Sequence, residues 1–267
     1  MARNYLISLN RSVARRAHMD AAFGRLDIDY ELVPAIDGDL PSVREVAAAC
    51  PTMTRGEIGS LMSHRFVWSL IARGSESHVA VFEDDIYLAP QLAAFLADWE
   101  WIPSDADIVK IDTMMTSANI DRQPSATRLG FKVSRLRSTH WGAAGYILSR
   151  KAAGTLTGLS REPKRPADAV LFDFDENESS SLVIYQVDPA LCIQHDTIAG
   201  TDRTGSPLRS IVEKQRPARN SRSKTFISKL NREAARLRDK AARRMDGRVV
   251  RKKIPFAGGV PNMADFV

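Results

Sequence analysis

Residues 78–90 read HVAVFEDDIYLAP. Four apolar residues, Val79 to Phe82, run directly into Glu83, Asp84 and Asp85. Three adjacent carboxylates repel one another, and taking them out of water is costly unless a cation is shared among them. Side chains alternate along an extended segment, so Glu83 and Asp85 point to one side and Asp84 to the other. Two convergent carboxylates suit a hard divalent cation such as Mg²⁺ or Mn²⁺, which also takes phosphate oxygens. The alternative is an acidic turn salt-bridged to a neighbouring arginine, and the cluster alone does not choose between the two.

Other residues could share such a site. Asp168, in KRPADAVLFD, follows a proline and precedes an apolar helical run, so its local explanation is an N-cap or first-turn aspartate. His195, in ALCIQHD, ends a strand-like run and is placed to complete a metal sphere, or to pair with Asp196. Asp112 ends DIVKID as a comparable strand-end carboxylate, a candidate contact for a donor sugar or acceptor. Asn10 and Arg11 lie between the first strand and the first helix, where backbone N–H groups and a basic side chain can meet a nucleotide. Arg15 and Arg16 read as solvated helix surface. Gly142 and Gly145, in HWGAAGY, permit close backbone approach. Asp173 and Asp175 read as a solvated acidic turn. Glycine-rich dinucleotide and P-loop signatures and the G-x-S-x-G elbow do not occur.

The elements that must carry these residues alternate. NYLISL (4–9) is strand-like, and residues 11–26 carry apolar positions at helical spacing. DYELVPAI is a second strand, ended by the turn at 37–39. A helix is predicted from Thr54 to Arg73, opened by a Thr54/Glu57 capping box and stopped by Gly74. VAVF has the unbroken apolar character of a strand buried on both faces. DIVKID, AAGYILS and SLVIYQV supply further strands, with a helix starting near Ser149. Strands interleaved with helices predict an α/β fold with a mainly parallel sheet flanked by helices. Ligands then bind beyond the carboxyl ends of the strands, which is where VAVF delivers its three acids.

The chain has 267 residues, 44% of them hydrophobic, enough for a full core. Its net charge of +6 conceals a division. Residues 209–253 hold 17 Lys and Arg against 4 acids, while the remainder holds 21 basic and 28 acidic residues. The reading is therefore two parts, an acidic body over 1–208 and a basic tail over 209–267. Between Lys224 and Met245 apolar or small residues recur at helical spacing opposite a face of Lys and Arg. A basic amphipathic helix fits an anionic membrane surface, with docking on the body as the alternative and nucleic acid the less favoured partner. No run is long and apolar enough to span a bilayer, and the N-terminus lacks a secretory signal. Cys50 and Cys192 form no framework. Together these predict a cytoplasmic protein, peripheral on the inner face of the membrane.

LISLNRSVARRAHM, LVPAIDGDL, TRGEIGSLMSHRFVW, VFEDDIYL, GAAGYILSRKAAGTL and PADAVL occur in this order. Together they resemble glycosyltransferase family 25, over residues 3–205. The resemblance implies a GT-A-like, Rossmann-type fold and a UDP-sugar donor, usually UDP-galactose. It also implies an acidic metal-binding motif of the D-x-D kind, here E-D-D with Glu83 and Asp85 outermost. Asp84 falls within that motif and is assigned to the donor. Asp168 matches an acceptor-side Pro-x-Asp segment and becomes the candidate general base. Ser63 and His64 are expected to frame the nucleotide pocket, and His195 is the late histidine that completes a metal sphere. The implied reaction moves a hexose, galactose above others, to a lipopolysaccharide-type or other cell-surface glycan, with Mn²⁺ or Mg²⁺ and inversion. The rival is a non-catalytic glycan-binding or membrane-scaffold protein with a degenerate nucleotide-sugar site.

Overall fold

The computed structural model describes residues 3–174, 181–199 and 247–258. The elements run β1 (Asn4–Ser8), α1 (Val13–Arg25), β2 (Glu31–Pro34), α2 (Pro41–Ala49), α3 (Arg55–Arg73), β3 (His78–Glu83), β4 (Ile86–Leu88) and α4 (Leu92–Leu96). Then follow β5 (Ile108–Lys110), β6 (Asp112–Thr113), β7 (Ser117–Asp121), β8 (Ala126–Arg128), β9 (Phe131–Arg135) and β10 (Gly145–Ser149). The chain continues with α5 (Arg150–Leu159), α6 (Ala167–Phe172), β11 (Ile184–Asp188), β12 (Cys192–Gln194), α7 (His195–Ala199) and β13 (Val249–Lys253).

Eight strands form the central sheet in the order β2-β1-β3-β10-β5-β11-β9-β8. Strands β2, β1, β3, β5, β11 and β8 share one direction, and only β10 and β9 oppose them. The expected α/β architecture with a mainly parallel sheet is therefore present. Its core lies on both faces, and β3 shows why the VAVF run is unbroken. Val79 and Val81 join the cluster under α3, α5 and α6, with Ile58, Leu61, Trp68 and Leu156. Ala80 and Phe82 join the opposite cluster, with Met19 and Phe23 of α1 and Phe95 of α4. A strand with both faces covered has no position left for a polar side chain until it reaches the sheet edge.

Local signals hold where predicted. Thr54 Oγ1 accepts from the Glu57 backbone N–H while Glu57 Oε2 accepts from the Thr54 N–H, and Gly74 caps the far end of α3. Ser149 caps α5 by accepting from Ala152 N–H. α2 and the strands β7, β8 and β9 are additions to the elements predicted from the sequence.

The largest departure concerns the expected basic tail. Residues 200–246, including the predicted amphipathic helix, lie outside the described residues. Residues 247–258 belong to the body. β13 pairs antiparallel with β7, and Ile254 is fully buried in the core under α3. Thr113 Oγ1 donates to the Ile254 carbonyl at 2.7 Å, and Lys252 Nζ reaches Asp188 Oδ2 at 2.5 Å. The charged sequence of residues 248–253 concealed a strand, because β13 keeps its Arg and Lys side chains in solvent. Among the described residues, no helix is long and apolar enough to cross a membrane.

Candidate active site

β3 brings Glu83 to the carboxyl edge of the sheet, and the chain turns through Asp84 and Asp85 into β4. The expected alternation is visible in their partners. Gln194, the last residue of β12, points its Nε2 between Glu83 Oε2 at 2.9 Å and Asp85 Oδ1 at 3.4 Å. Glu83 and Asp85 thus converge on one point. Asp84 faces the other way, where its Oδ2 accepts from Ser8 Oγ at 2.6 Å and its Oδ1 from Arg15 at 2.7 Å.

Arg15 is the neighbouring arginine that the sequence left open. It is buried rather than solvated, because α1 turns that face onto the end of β3. Its close bond goes to Asp84, and its second nitrogen stands 3.6 Å from Asp85. Burial pushes the Asp85 carboxyl up to about 8, with the Glu83 charge adding to the shift and Arg15 opposing it. Glu83 and Asp85 form a pair of carboxyl groups that, among the described residues, share the Gln194 amide as a close donor.

Glu83 is oriented from behind by a chain of hydrogen bonds. Trp68 Nε1 donates to the Tyr146 hydroxyl at 2.7 Å, and that hydroxyl lies 2.9 Å from His64 Nδ1. His64 Nε2 lies 3.1 Å from Glu83 Oε1. A carboxylate only accepts, so Nε2 carries the hydrogen, and in the neutral ring Nδ1 accepts the Tyr146 proton. The chain fixes both the imidazole tautomer and the Glu83 carboxylate. Ser63 and His64, expected at the nucleotide pocket, stand behind this edge. Both are buried, and Ser63 Oγ donates to Gly59 O while accepting from Ile36 N–H. They hold the edge in place, Ser63 between α3 and the end of β2 and His64 behind Glu83.

A second buried network stands at the end of β5. Lys110 Nζ donates to Asp112 Oδ1 and to the Gly142 carbonyl, both at 2.5 Å, under the Phe172 ring at 4.2 Å. Asp112 Oδ2 accepts from Ala144 N–H at 3.2 Å. Gly142 has φ +97°, and a Cβ there would meet Asp112 Oδ2 at 2.8 Å, so the loop requires glycine. Burial raises the Asp112 carboxyl despite Lys110. Asp112, expected to contact a ligand, is thus sealed below the surface with both oxygens bonded within the fold. Both oxygens of Asp84 are likewise bonded within the fold, to Ser8 and Arg15.

His195, expected to complete a metal sphere, stands beside the turn that follows β3. Its backbone N–H donates to the Asp85 carbonyl at 2.8 Å, but its ring Nδ1 pairs with the Tyr87 hydroxyl at 2.7 Å. Burial lowers its basicity. Gln194 and His195 are successive residues and face opposite ways, so Gln194 meets the carboxylates. The sequence reading chose the histidine for its chemistry and passed over its neighbour. Among the described residues, no three His, Cys, Asp or Glu side chains are grouped to hold a metal. The oxygens of Glu83 and Asp85, which converge on the Gln194 amide, nevertheless fit a hard cation.

Asp168 sits in the first turn of α6, behind Pro166, and Phe172 at the far end of that helix covers Lys110. This places the far end of α6 against the end of β5. Asp173 caps α6 instead of lying in a solvated turn, with Thr139 Oγ1 donating to it at 3.4 Å. Asp175 lies outside the described residues. Asn10 and Arg11 are exposed beyond the end of β1, where Arg11 pairs with Asp37 after β2.

Residues 1–171 match Glycosyltransferase family 25 (LPS biosynthesis protein). The chain belongs to glycosyltransferase family 25. It is 32% identical to the lacto-N-neotetraose biosynthesis glycosyltransferase LgtB of Neisseria meningitidis serogroup B, over 90% of this chain and 95% of the relative. It is 29% identical to LgtE of the same organism, over 91% and 92%. The lipooligosaccharide biosynthesis protein lex-1 of Haemophilus influenzae is 29% identical over 67% of this chain and 62% of that protein. The protein is accordingly a glycosyltransferase, with a sugar donor and a glycan acceptor. The family match covers β1 through most of α6, and so spans Glu83, Asp85 and Asp168. Gln194 and β13 lie beyond it.

Proposed function

We propose that this glycosyltransferase moves a hexose, galactose above others, from a UDP-sugar to a lipopolysaccharide-type glycan, with inversion at C1. The observation that carries the reading is the convergence of Glu83 and Asp85 at the ligand-binding edge of the sheet, where Arg15 comes no closer to Asp85 than 3.6 Å. The names of the relatives, lacto-N-neotetraose and lipooligosaccharide biosynthesis proteins, support the acceptor class.

Glu83 and Asp85 would hold Mn²⁺ or Mg²⁺, with Gln194 able to offer its amide oxygen after rotation. When bound there, the ion supplies positive charge against the diphosphate, whose charge rises as the bond to C1 breaks. The remaining roles fall to the chain. His64 keeps Glu83 pointed at the site, and Arg15 holds the turn through Asp84. Asp168 takes the proton of the acceptor hydroxyl as that oxygen bonds to C1, and the diphosphate leaves from the opposite face. One displacement completes the transfer, with no covalent intermediate. Asn10 and Arg11 stand on the β1 side, where they serve the nucleotide. The basic segment over 209–246 keeps the enzyme on anionic lipid at the cytoplasmic face of the membrane, where a lipid-linked acceptor lies.

The direct test is a screen of UDP-sugars for Mn²⁺-dependent UDP release by the purified protein. One donor should stand out, and chelation should stop the release. Failure of every UDP-sugar, with and without lipooligosaccharide acceptor, would overturn the donor assignment.

A further inference from the structure

The reverse of β10 relative to β3 determines where α5 ends. Gly145 pairs with Phe82 and Ser149 with His78, so β10 finishes at the amino edge of the sheet and α5 returns toward the carboxyl edge. There the loop from α5 to α6 lies against α3 and its preceding turn. Arg65 donates to the Arg161 carbonyl at 3.4 Å, and Cys50 Sγ to the Pro163 carbonyl at 3.0 Å. Between the end of α5, this loop and Val170 of α6 is a cavity of about 320 Å³, with Arg161, Lys164 and Arg165 on its walls.

The charge of that cavity is not balanced from within. Glu162 is the one acid among its lining residues, and it pairs with Lys164 at 2.9 Å. Arg165 stands 3.9 Å from Asp173, beyond hydrogen-bonding distance, and among the described residues its buried Nη1 has no hydrogen-bond partner. An arginine gives up water only at a cost unless an acceptor replaces it, and its planar fork matches carboxylate or phosphate. Asp173 also accepts from Thr139, two residues from the exposed Trp141. The cavity is therefore tied on one side to α6, which carries Asp168, and on the other to the loop at 139–142.

We propose that this cavity is a subsite for an anionic substituent, phosphate or carboxylate, on the acceptor glycan. Arg161 and Arg165 receive the charge, and the volume admits the sugar residue that carries it. This selects an acidic acceptor over a neutral one of the same sugar sequence. The inference rests on the acceptor reading given above.

Two measurements separate this inference from that reading. In the first, glucose 6-phosphate and glucose are titrated into the full-length protein saturated with UDP and Mg²⁺, which is diamagnetic, and the arginine Nε–H resonances are followed. Glucose 6-phosphate should shift the Arg161 and Arg165 signals and glucose should not; shifts elsewhere alone, or none, would overturn the subsite. This arm needs no turnover, so it still reports if transfer fails. In the second, a phosphorylated lipooligosaccharide core is compared as acceptor with the same core after dephosphorylation. Arg161→Gln, at an exposed position chosen to spare folding, should raise KM for the phosphorylated core by about tenfold and leave the dephosphorylated core unchanged. Arg165→Gln should do the same, and a melting curve checks that it folds. Equal effects on both cores, or on neither, would refute the assignment. Carboxylate and phosphate are distinguished by repeating the titration with glucuronate.

Discussion

Three acidic centres at one end of the sheet differ in what neutralises them. Asp84 has Arg15 at 2.7 Å, and Asp112 has Lys110 at 2.5 Å. Glu83 and Asp85 share an amide, and their nearest arginine is 3.6 Å from one of them. The first two carboxylates are built into the fold, with each oxygen of Asp84 and Asp112 assigned to a donor. The third pair is held in place by His64 and Gln194 but left short of positive charge. Paired buried ions position a site, and an anionic pair without its own cation is the place for a ligand that brings charge with it.

The sharpest test of this contrast is Asp85→Asn. It should abolish Mn²⁺-dependent UDP binding in calorimetry and reduce transfer by at least about 10³-fold, since it removes half of the acidic pair. Metal-independent binding of wild-type strength in the variant would put Asp85 with the structural carboxylates. Asp168→Asn should slow transfer by about 10²–10⁴-fold, with donor affinity near wild type. A parallel collapse of donor affinity would move Asp168 from the acceptor to the donor side.

Lys110→Met should act on folding rather than binding. It strands Asp112 and the Gly142 carbonyl in the interior, and a loss of about 3–5 kcal/mol in denaturant unfolding is expected. An unfolding midpoint equal to wild type would show that the β5 network does not hold this edge. His140 offers a smaller, pH-dependent effect. Its Nδ1 pairs with Gln186 Oε1 at 3.0 Å, and burial lowers its basicity to about 4. The neutral ring is favoured in the fold, so its contribution is complete above about pH 6.5 and is lost as pH falls toward about 4. His140→Leu should lower Tm at pH 7.5 and flatten the decline of Tm between those values. An acid limb as steep as wild type would place the acid sensitivity elsewhere.

The C-terminal segment divides the membrane reading from the folding of the body. Truncation after residue 208 removes β13 and Ile254, and should destabilise the body, since losing a buried Ile side chain alone costs about 2–5 kcal/mol. Replacing only residues 209–246 with a Gly/Ser linker of equal length should keep the melting temperature and abolish sedimentation with anionic vesicles. Retained sedimentation would remove the basic segment from the membrane reading.

Much of this molecule is legible in the chain because the causes are local. The Thr54/Glu57 capping box, the Gly74 stop and the Ser149 cap lie within one turn of the residues they serve. The VAVF run announced a strand covered on both faces, and period-two alternation separated Glu83 and Asp85 from Asp84 before any partner was known. What the chain could not show is who meets those carboxylates. Arg15 comes from 69 residues away, Gln194 from 111 and 109, and His64 reaches Glu83 only because Tyr146 and Trp68 hold it there. The choice of Gln194 over His195 depends on which way one residue faces at the end of β12, which pairing with β4 and β6 decides. β13 likewise has a surface composition and becomes a strand because β7 offers it an edge and the core has room for Ile254. Periodicity and capping act over a few residues and can be read in order along the chain. Burial and charge pairing join segments distant in sequence, so only the assembled fold determines them.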